Sequence, residues 1–381
     1  MGNGVAQASV RGWSFLQHGG EAVLKQPRET KLEENTMNKV RFVVATSLVA
    51  FALAAVVPAS AANLIEPGYG TSVYLTHSVS SESITSFDWS LSGATTYYQT
   101  STSSYNFGGL FTWINDVQST AVAGNADYSG ASVVRIDDNI YYNTSSTGYK
   151  IWKHDPSIGA TGATQVSMAP NWGLFRRKAG EMFITGTPNF SSPNEVFRAA
   201  LTTAGNFESP PVSLGTTIGS SGPLAFDTLG NMFYAPGYGD KSIYRYTAAD
   251  VNNSVADPTN TPLPSPAERL WWDYSSSFSN SSGATGLAVD DIGNLYITLT
   301  DFSSPSFLVK ASANGTSGFA NYHTILSSTR GLGDVRLRDG SIYLAEGNEI
   351  LQVVPEPQTV SLVLLGGAAL LWFRHRRHGS F

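Results

Sequence analysis

Between residues 84 and 353 apolar and polar positions alternate in short runs, as they do in strands with a covered face. The runs recur in one order: an apolar strand, a tight turn, an aromatic strand, then a third alternating strand. Two stretches show this without gaps, Leu224-Ala225-Phe226-Asp227-Thr228-Leu229-Gly230-Asn231-Met232-Phe233-Tyr234-Ala235 and Leu287-Ala288-Val289-Asp290-Asp291-Ile292-Gly293-Asn294-Leu295-Tyr296-Ile297-Thr298. Weaker copies begin at Val133, Leu174 and Val335, and the loosest covers residues 84–98. The aligned aromatics Tyr97, Tyr141, Phe183, Phe233, Tyr296 and Tyr343 are spaced by 44, 42, 50, 63 and 47 residues. Those are the periods of propeller blades.

Turn chemistry accounts for the recurring letters. Asp227 and Asp290 can accept hydrogen bonds from the backbone a few residues on, and Gly230 and Gly293 can take the positive φ that closes a hairpin. Asp137-Asp138-Asn139 and Asp339-Gly340 are shorter solutions to the same problem. Third strands are predicted at residues 149–153, 195–198, 242–246, 306–310 and 349–353, and a fourth at 322–326. The expected fold is therefore all-β, a propeller of six four-stranded blades. Five or seven blades, two sandwiches and a solenoid are the alternatives. After Val354 the chain passes into its C-terminal signal, so the last blade lacks a fourth strand and Ser72-Val73-Tyr74-Leu75-Thr76 is expected to close the ring and bring Tyr74 near Leu351.

The 63-residue spacing reflects an insertion over residues 248–282, rich in Pro and Asn, which reads as a surface loop. Within it Trp271, Trp272 and Tyr274 either pack over a blade edge or form an aromatic platform for a sugar ring or partner.

Composition agrees with a β fold: 14% of the residues are charged, against about 25% in ordinary domains, while there are 37 Gly, 17 Tyr and 19 Phe. Cysteine is absent, which excludes disulfides, Cys-ligated metal and thiol catalysis.

Both ends read as addresses. Met37-Asn38-Lys39-Val40-Arg41, the uncharged run 42–57 and Pro58-Ala59-Ser60-Ala61-Ala62 predict a signal peptide over 37–61, cleaved after Ala61 or Ala62. Residues 1–36 are then expected to be a start-site artefact, with Met37 the initiator. Near the other end Pro355, Glu356 and Pro357 precede an apolar run over 359–373, expected to be a transmembrane helix, and then the basic cluster of Arg374, Arg376 and Arg377. Together these elements of 354–381 resemble a PEP-CTERM sorting signal. The resemblance implies a Gram-negative host, transient anchoring in the inner membrane, cutting by an exosortase, and delivery to the cell surface or exopolysaccharide matrix. An ordinary membrane anchor is the alternative. Between the signals, residues 62–357 hold 14 basic and 25 acidic residues, a net of −11. Such a surface disfavours nucleic acid as a partner.

The repeat, apolar strand, Asp, Gly-Asn and aromatic strand, resembles NHL-type and gluconolactonase-like propellers. That resemblance implies the fold for 62–353 and, in the gluconolactonase type, a divalent cation held by Glu, Asn and Asp in the central channel. Here Asp137, Asp227 and Asp290 fall in equivalent turns around a rim, where turn capping explains them, and Glu346 alone cannot make a calcium site. His77, His154 and His323 are far apart in sequence, Arg176-Arg177-Lys178 reads as a solvated hairpin tip, and no nucleophile elbow, zincin, Walker or EF-hand motif is present. No catalytic residue, cofactor or metal ligand is therefore assigned. The expected function is a non-catalytic binding or structural module on the surface or in the matrix, partnered by exopolysaccharide or a surface protein. The alternative is a secreted lactonase or polysaccharide lyase with a metal, calcium by preference, in the channel.

Overall fold

The computed structural model describes residues 62–356, except 145–149, 156–163, 169–170, 189–191, 302–304 and 313–316. The chain enters through β1 (Ala62–Leu64) and β2 (Tyr69–Thr76), then builds blade after blade. Blade 1 is β3 (Ser83–Trp89), β4 (Thr96–Ser101), β5 (Phe107–Ile114) and β6 (Val117–Ala123). Blade 2 is β7 (Ser129–Ile136), β8 (Asn139–Thr144), β9 (Lys150–His154) and β10 (Thr164–Met168). Blade 3 comprises β11 (Gly173–Lys178), β12 (Glu181–Gly186), β13 (Glu195–Ala200) and β14 (Val212–Thr216). Blade 4 comprises β15 (Leu224–Phe226), β16 (Met232–Tyr234), β17 (Ser242–Tyr246) and β18 (Leu270–Asp273). Blade 5 is β19 (Gly283–Val289), β20 (Leu295–Thr300), β21 (Ser306–Ala311) and β22 (Tyr322–Ser328). Blade 6 is β23 (Leu332–Arg338), β24 (Ser341–Glu346) and β25 (Glu349–Pro355), completed by β2. All pairings are antiparallel, and the first strands touch in the order β3, β7, β11, β15, β19, β23 and back to β3. They are the inner ring of a six-bladed propeller.

Closure follows the sequence expectation. Val73 pairs with Leu351 and Leu75 with Ile350, with a bulge at Tyr74. The Tyr74 ring meets Tyr343 edge-on at 5.1 Å. The first strand of the described residues was not foreseen: β1 adds a fifth strand to blade 5, pairing Ala62 with Ser328, and covers an otherwise open edge.

The second strand of each blade lies mid-sheet with both faces against neighbouring blades, so its burial is continuous where an outer strand would alternate. Every residue of β4, β12, β16 and β24 is buried. The six repeated aromatics all sit on these second strands and are at most 8% exposed. Each belongs to the apolar cluster between its own blade and the next; Tyr97, for example, packs with Val133 and Ile140 of blade 2. Tyr343 does the same across the closing joint with Ile84 and Phe87 of blade 1.

The turns form as their chemistry dictates. Asp227 Oδ1 accepts the N–H of Leu229 (3.0 Å) and of Asn231 (2.8 Å), with Gly230 at φ 86°. Asp290 repeats this with Ile292 (3.2 Å) and Asn294 (2.7 Å), with Gly293 at φ 87°. Asp137 is different: it takes φ 54° itself, and its carboxylate accepts the Gly180 N–H of the next blade at 3.0 Å.

The insertion is not the loop expected. Thr247 and Asp250 form a capping box that starts α1 (Ala248–Ala256), which buries Val251 and Ser254, the latter donating to the Leu214 carbonyl at 2.9 Å. Beyond it the chain makes β18, the outer strand of blade 4, which holds Trp271 and Trp272. The Thr-x-x-Asp signature was present in the sequence, but the density of Pro and Asn around it masked the signal.

Among the described residues no helix is long and apolar enough to cross a membrane. The expected transmembrane helix 359–373, Pro357, Arg374, Arg376, Arg377, Ala59, Ala61 and residues 1–36 lie outside the described residues.

Candidate functional site

The inner strands of adjacent blades do not share a backbone ladder, so their polar groups need other partners. Ser and Thr hydroxyls supply them. Ser86 Oγ accepts the Val133 N–H (2.9 Å), Ser132 Oγ donates to the Leu174 carbonyl (2.9 Å), and Thr185 Oγ1 donates to the Gly222 carbonyl (2.9 Å). Thr285 and Thr298 reach the carbonyls of Leu332 (2.7 Å) and Gly333 (2.6 Å). These five hydroxyls stitch one blade to the next.

Mid-channel, three strands meet in a polar plug. Asp334 accepts from Ser86 Oγ (2.7 Å), from the Val335 N–H (2.9 Å) and from Arg336 Nε (2.9 Å). Arg336 also donates to the Val133 carbonyl at 2.9 Å. Burial pushes the Asp334 carboxyl above its ordinary range, against the pull of Arg336.

Two cavities open from the channel. The first, about 350 Å³, lies where the inner strands begin. Apart from Asp334, which is paired with Arg336, its wall is small and uncharged, with Gly222, Gly237, Gly331 and Gly333 beside the Ser132 and Thr285 hydroxyls already committed to the stitching. Glycine is required at 222, because a Cβ there would stand 2.0 Å from the Ala235 carbonyl oxygen. Ile84 and Leu332 give the cavity apolar ground, and Trp172, 38% exposed, offers an accessible aromatic face in its lining. The second cavity, about 410 Å³, lies where the inner strands end and is lined by arginines.

A divalent cation of the gluconolactonase type does not fit the first cavity. Asp334 is the one carboxylate among its described lining residues, and it is already paired with Arg336 and Ser86. Calcium asks for six to eight oxygens. Among the described residues no group of three His, Asp or Glu is placed to hold a metal.

The sequence-singled residues scatter. Trp271, Trp272 and Tyr274 are 5%, 2% and 0% exposed, which is the packing alternative of the two expected and not the platform: they are buried between blades 4 and 5. Phe233 at 5.5 Å from Trp271 and Tyr322 at 5.1 Å from Trp272 cover the indole faces. His77 is buried and bonded to Glu82 (3.1 Å) and Tyr98 (3.3 Å). His154 is also buried, which lowers its pKa, and the His323 side chain is exposed. Glu346 is fully buried, and that burial raises its pKa against the opposing hydrogen bond from Ser328. The Arg176-Arg177-Lys178 tip is only partly solvated: Arg177 pairs with Glu181 at 3.3 Å, and Arg176 lines the second cavity. Pro355 ends β25 opposite Tyr69, and the Glu356 N–H donates to the Gly68 carbonyl at 2.7 Å. Sequence reasoning missed Trp172; its place just before the repeat copy at Leu174 was the available signal.

No protein-family model and no curated protein matches the chain. Solved structures do. A luciferin-regenerating enzyme aligns over 75% of this chain and 95% of its own, with a TM-score of 0.53 and 10% identity. An oxidoreductase of the glucose dehydrogenase type from Thermus thermophilus aligns over 75% and 100%, with a TM-score of 0.52 and 12% identity. What is shared is the propeller. At this identity the likeness carries the fold and no activity.

Proposed function

We propose that the chain is an exported surface or exopolysaccharide-matrix protein whose propeller binds a neutral, ring-bearing ligand, a glycan by preference, without catalysing its reaction. The observation that carries this reading is Trp172, open to solvent in the lining of the 350 Å³ neutral cavity. An indole face beside backbone amides and carbonyls suits a sugar ring, which stacks through its C–H face and hydrogen-bonds at its edge.

Export rests on the two signals. The propeller is closed by its own strands between Ala62 and Pro355, so cutting near Pro357 and after Ala61 would leave every described strand intact, and cutting after Ala62 would remove only the first residue of β1. In this reading an exosortase processes the tail after transient anchoring in the inner membrane of a Gram-negative cell. The partners are then exopolysaccharide or another surface protein.

The test is a glycan array probed with the full chain and with Trp172→Ala. Binding to one or more matrix polysaccharides that falls at least about tenfold in the variant, a loss of roughly 1.4 kcal/mol, is expected. Silence across the array, or binding indifferent to Trp172, would overturn the assignment. Turnover of a lactone or glycan by the same preparation would replace the binding module with an enzyme.

A further inference from the structure

The arginine-lined cavity at the other end of the channel makes a different demand. Arg135 reaches it from β7, Arg176 from β11, and Arg336 and Arg338 from β23. Residues 62–357 hold only 14 basic residues against 25 acidic. Four of those 14 converge on one mouth, where mutual repulsion would otherwise disperse them.

Two of the four are committed. Arg336 pairs with Asp334 at 2.9 Å, while Arg338 pairs with Asp339 (3.2 Å) and donates to the Gly93 carbonyl (3.1 Å). The other two are under-used. Arg135 gives one N–H to the Asp137 carbonyl at 2.8 Å, and its Nε is buried without a partner. Arg176 is exposed, and its guanidinium makes no hydrogen bond or ion pair with any described residue. Of the two carboxylates in the wall, Asp339 is paired with Arg338, and Asp88 accepts the backbone N–H groups of Trp89 (2.8 Å) and Arg135 (2.7 Å) and stands 3.9 Å from Arg336. The four guanidinium groups of the wall outnumber its two carboxylates, Asp88 and Asp339.

We propose that this mouth binds an oxyanion, a carboxylate or phosphate carried on a molecule of sugar size, held by Arg135 and Arg176. Planar guanidinium forks match both oxyanions in a bidentate manner, and they are weakly hydrated enough to release water on contact. A cavity of about 410 Å³ accommodates a monosaccharide. The site lies at the opposite mouth from Trp172 and does not rest on the glycan reading.

Calorimetric titration of the full chain with glucuronate, glucose 6-phosphate, inorganic phosphate and glucose tests it. Saturable binding of glucuronate or glucose 6-phosphate is expected, with none for glucose, and with weakening as salt rises from about 20 to 200 mM. Which of the two sugars binds distinguishes a carboxylate from a phosphate ligand. Arg176→Met should weaken binding at least about tenfold, with Arg176→Lys intermediate. Because Arg176 is exposed, its melting temperature should stay unchanged, so the result reads binding and not folding; Arg135→Met gives a second reading if it folds. No saturation with either acidic sugar, inorganic phosphate binding alone, or binding undiminished in Arg176→Met would each overturn the proposal.

Discussion

Replacing Arg336 with Met tests whether the plug in the channel holds blade 6 to blades 1 and 2. The substitution removes the 2.9 Å ion pair to Asp334 and the 2.9 Å bond to the Val133 carbonyl, leaving the Asp334 carboxylate with only Ser86 Oγ and the Val335 N–H. Breaking a buried pair from one side costs about 3–5 kcal/mol. The side chains of Asp334 and Arg336 keep 12% and 22% exposure, which puts the expectation near the lower bound, about 3 kcal/mol at neutral pH. The pH dependence has a fixed sign. Burial raises the folded pKa of Asp334 above its ordinary 3.8, so over the interval above 3.8 the folded state holds a proton that the unfolded state has lost. The contribution of this group to stability therefore falls as pH rises, and losing Arg336 deepens the fall. Urea unfolding followed by tryptophan fluorescence between pH 4 and 7 should show the deficit shrinking toward about 1 kcal/mol at the acid end, where only a hydrogen bond is missing. Asp334→Asn combined with Arg336→Met should recover much of the loss at pH 7, because the uncompensated charge is gone. A deficit that is flat with pH, or a double variant as unstable as the single, would refute this account of the plug.

Leu75→Ala in the closing strand removes a side chain 2% exposed in the joint between blades 6 and 1; a loss of about 2–4 kcal/mol is expected in urea melts, and less than about 1 would mean the strand does not hold the ring. Asp290→Ala strips the acceptors of Ile292 N–H (3.2 Å), Asn294 N–H (2.7 Å) and Asn294 Nδ2 (2.8 Å), and should lower stability by about 1–2 kcal/mol with faster amide exchange in that hairpin. Gly222→Ala places a Cβ against two backbone atoms that cannot swing aside, at 2.0 and 2.5 Å, so a destabilisation of at least about 1–3 kcal/mol is expected by thermal melting. An unchanged melting temperature there would show that the strands at this mouth part easily.

Much of the fold was legible because each blade is written locally. Alternation of period two gives the strands, Asp and Gly at fixed offsets give the hairpins, and the aromatic marks the second strand, which is buried on both faces. Closure was legible too, since a last blade one strand short needs a partner and the residues around Val73 were the spare strand. Other features depended on how the blades meet. Trp271 and Trp272 look exposed beside four prolines, and only the packing of blade 4 on blade 5 buries them. Trp172, Arg135, Arg176 and Arg336 have no motif in common, because a channel mouth takes one or two residues from each blade, and neighbours in space stand some forty or more residues apart in sequence. The sequence by itself determined the repeat and its turns, which depend on neighbours along the chain. The tertiary structure alone decided which side chains face the channel, which hydroxyls stitch the blades, and where four cations of an acidic body are brought together, since those depend on the closing of the ring.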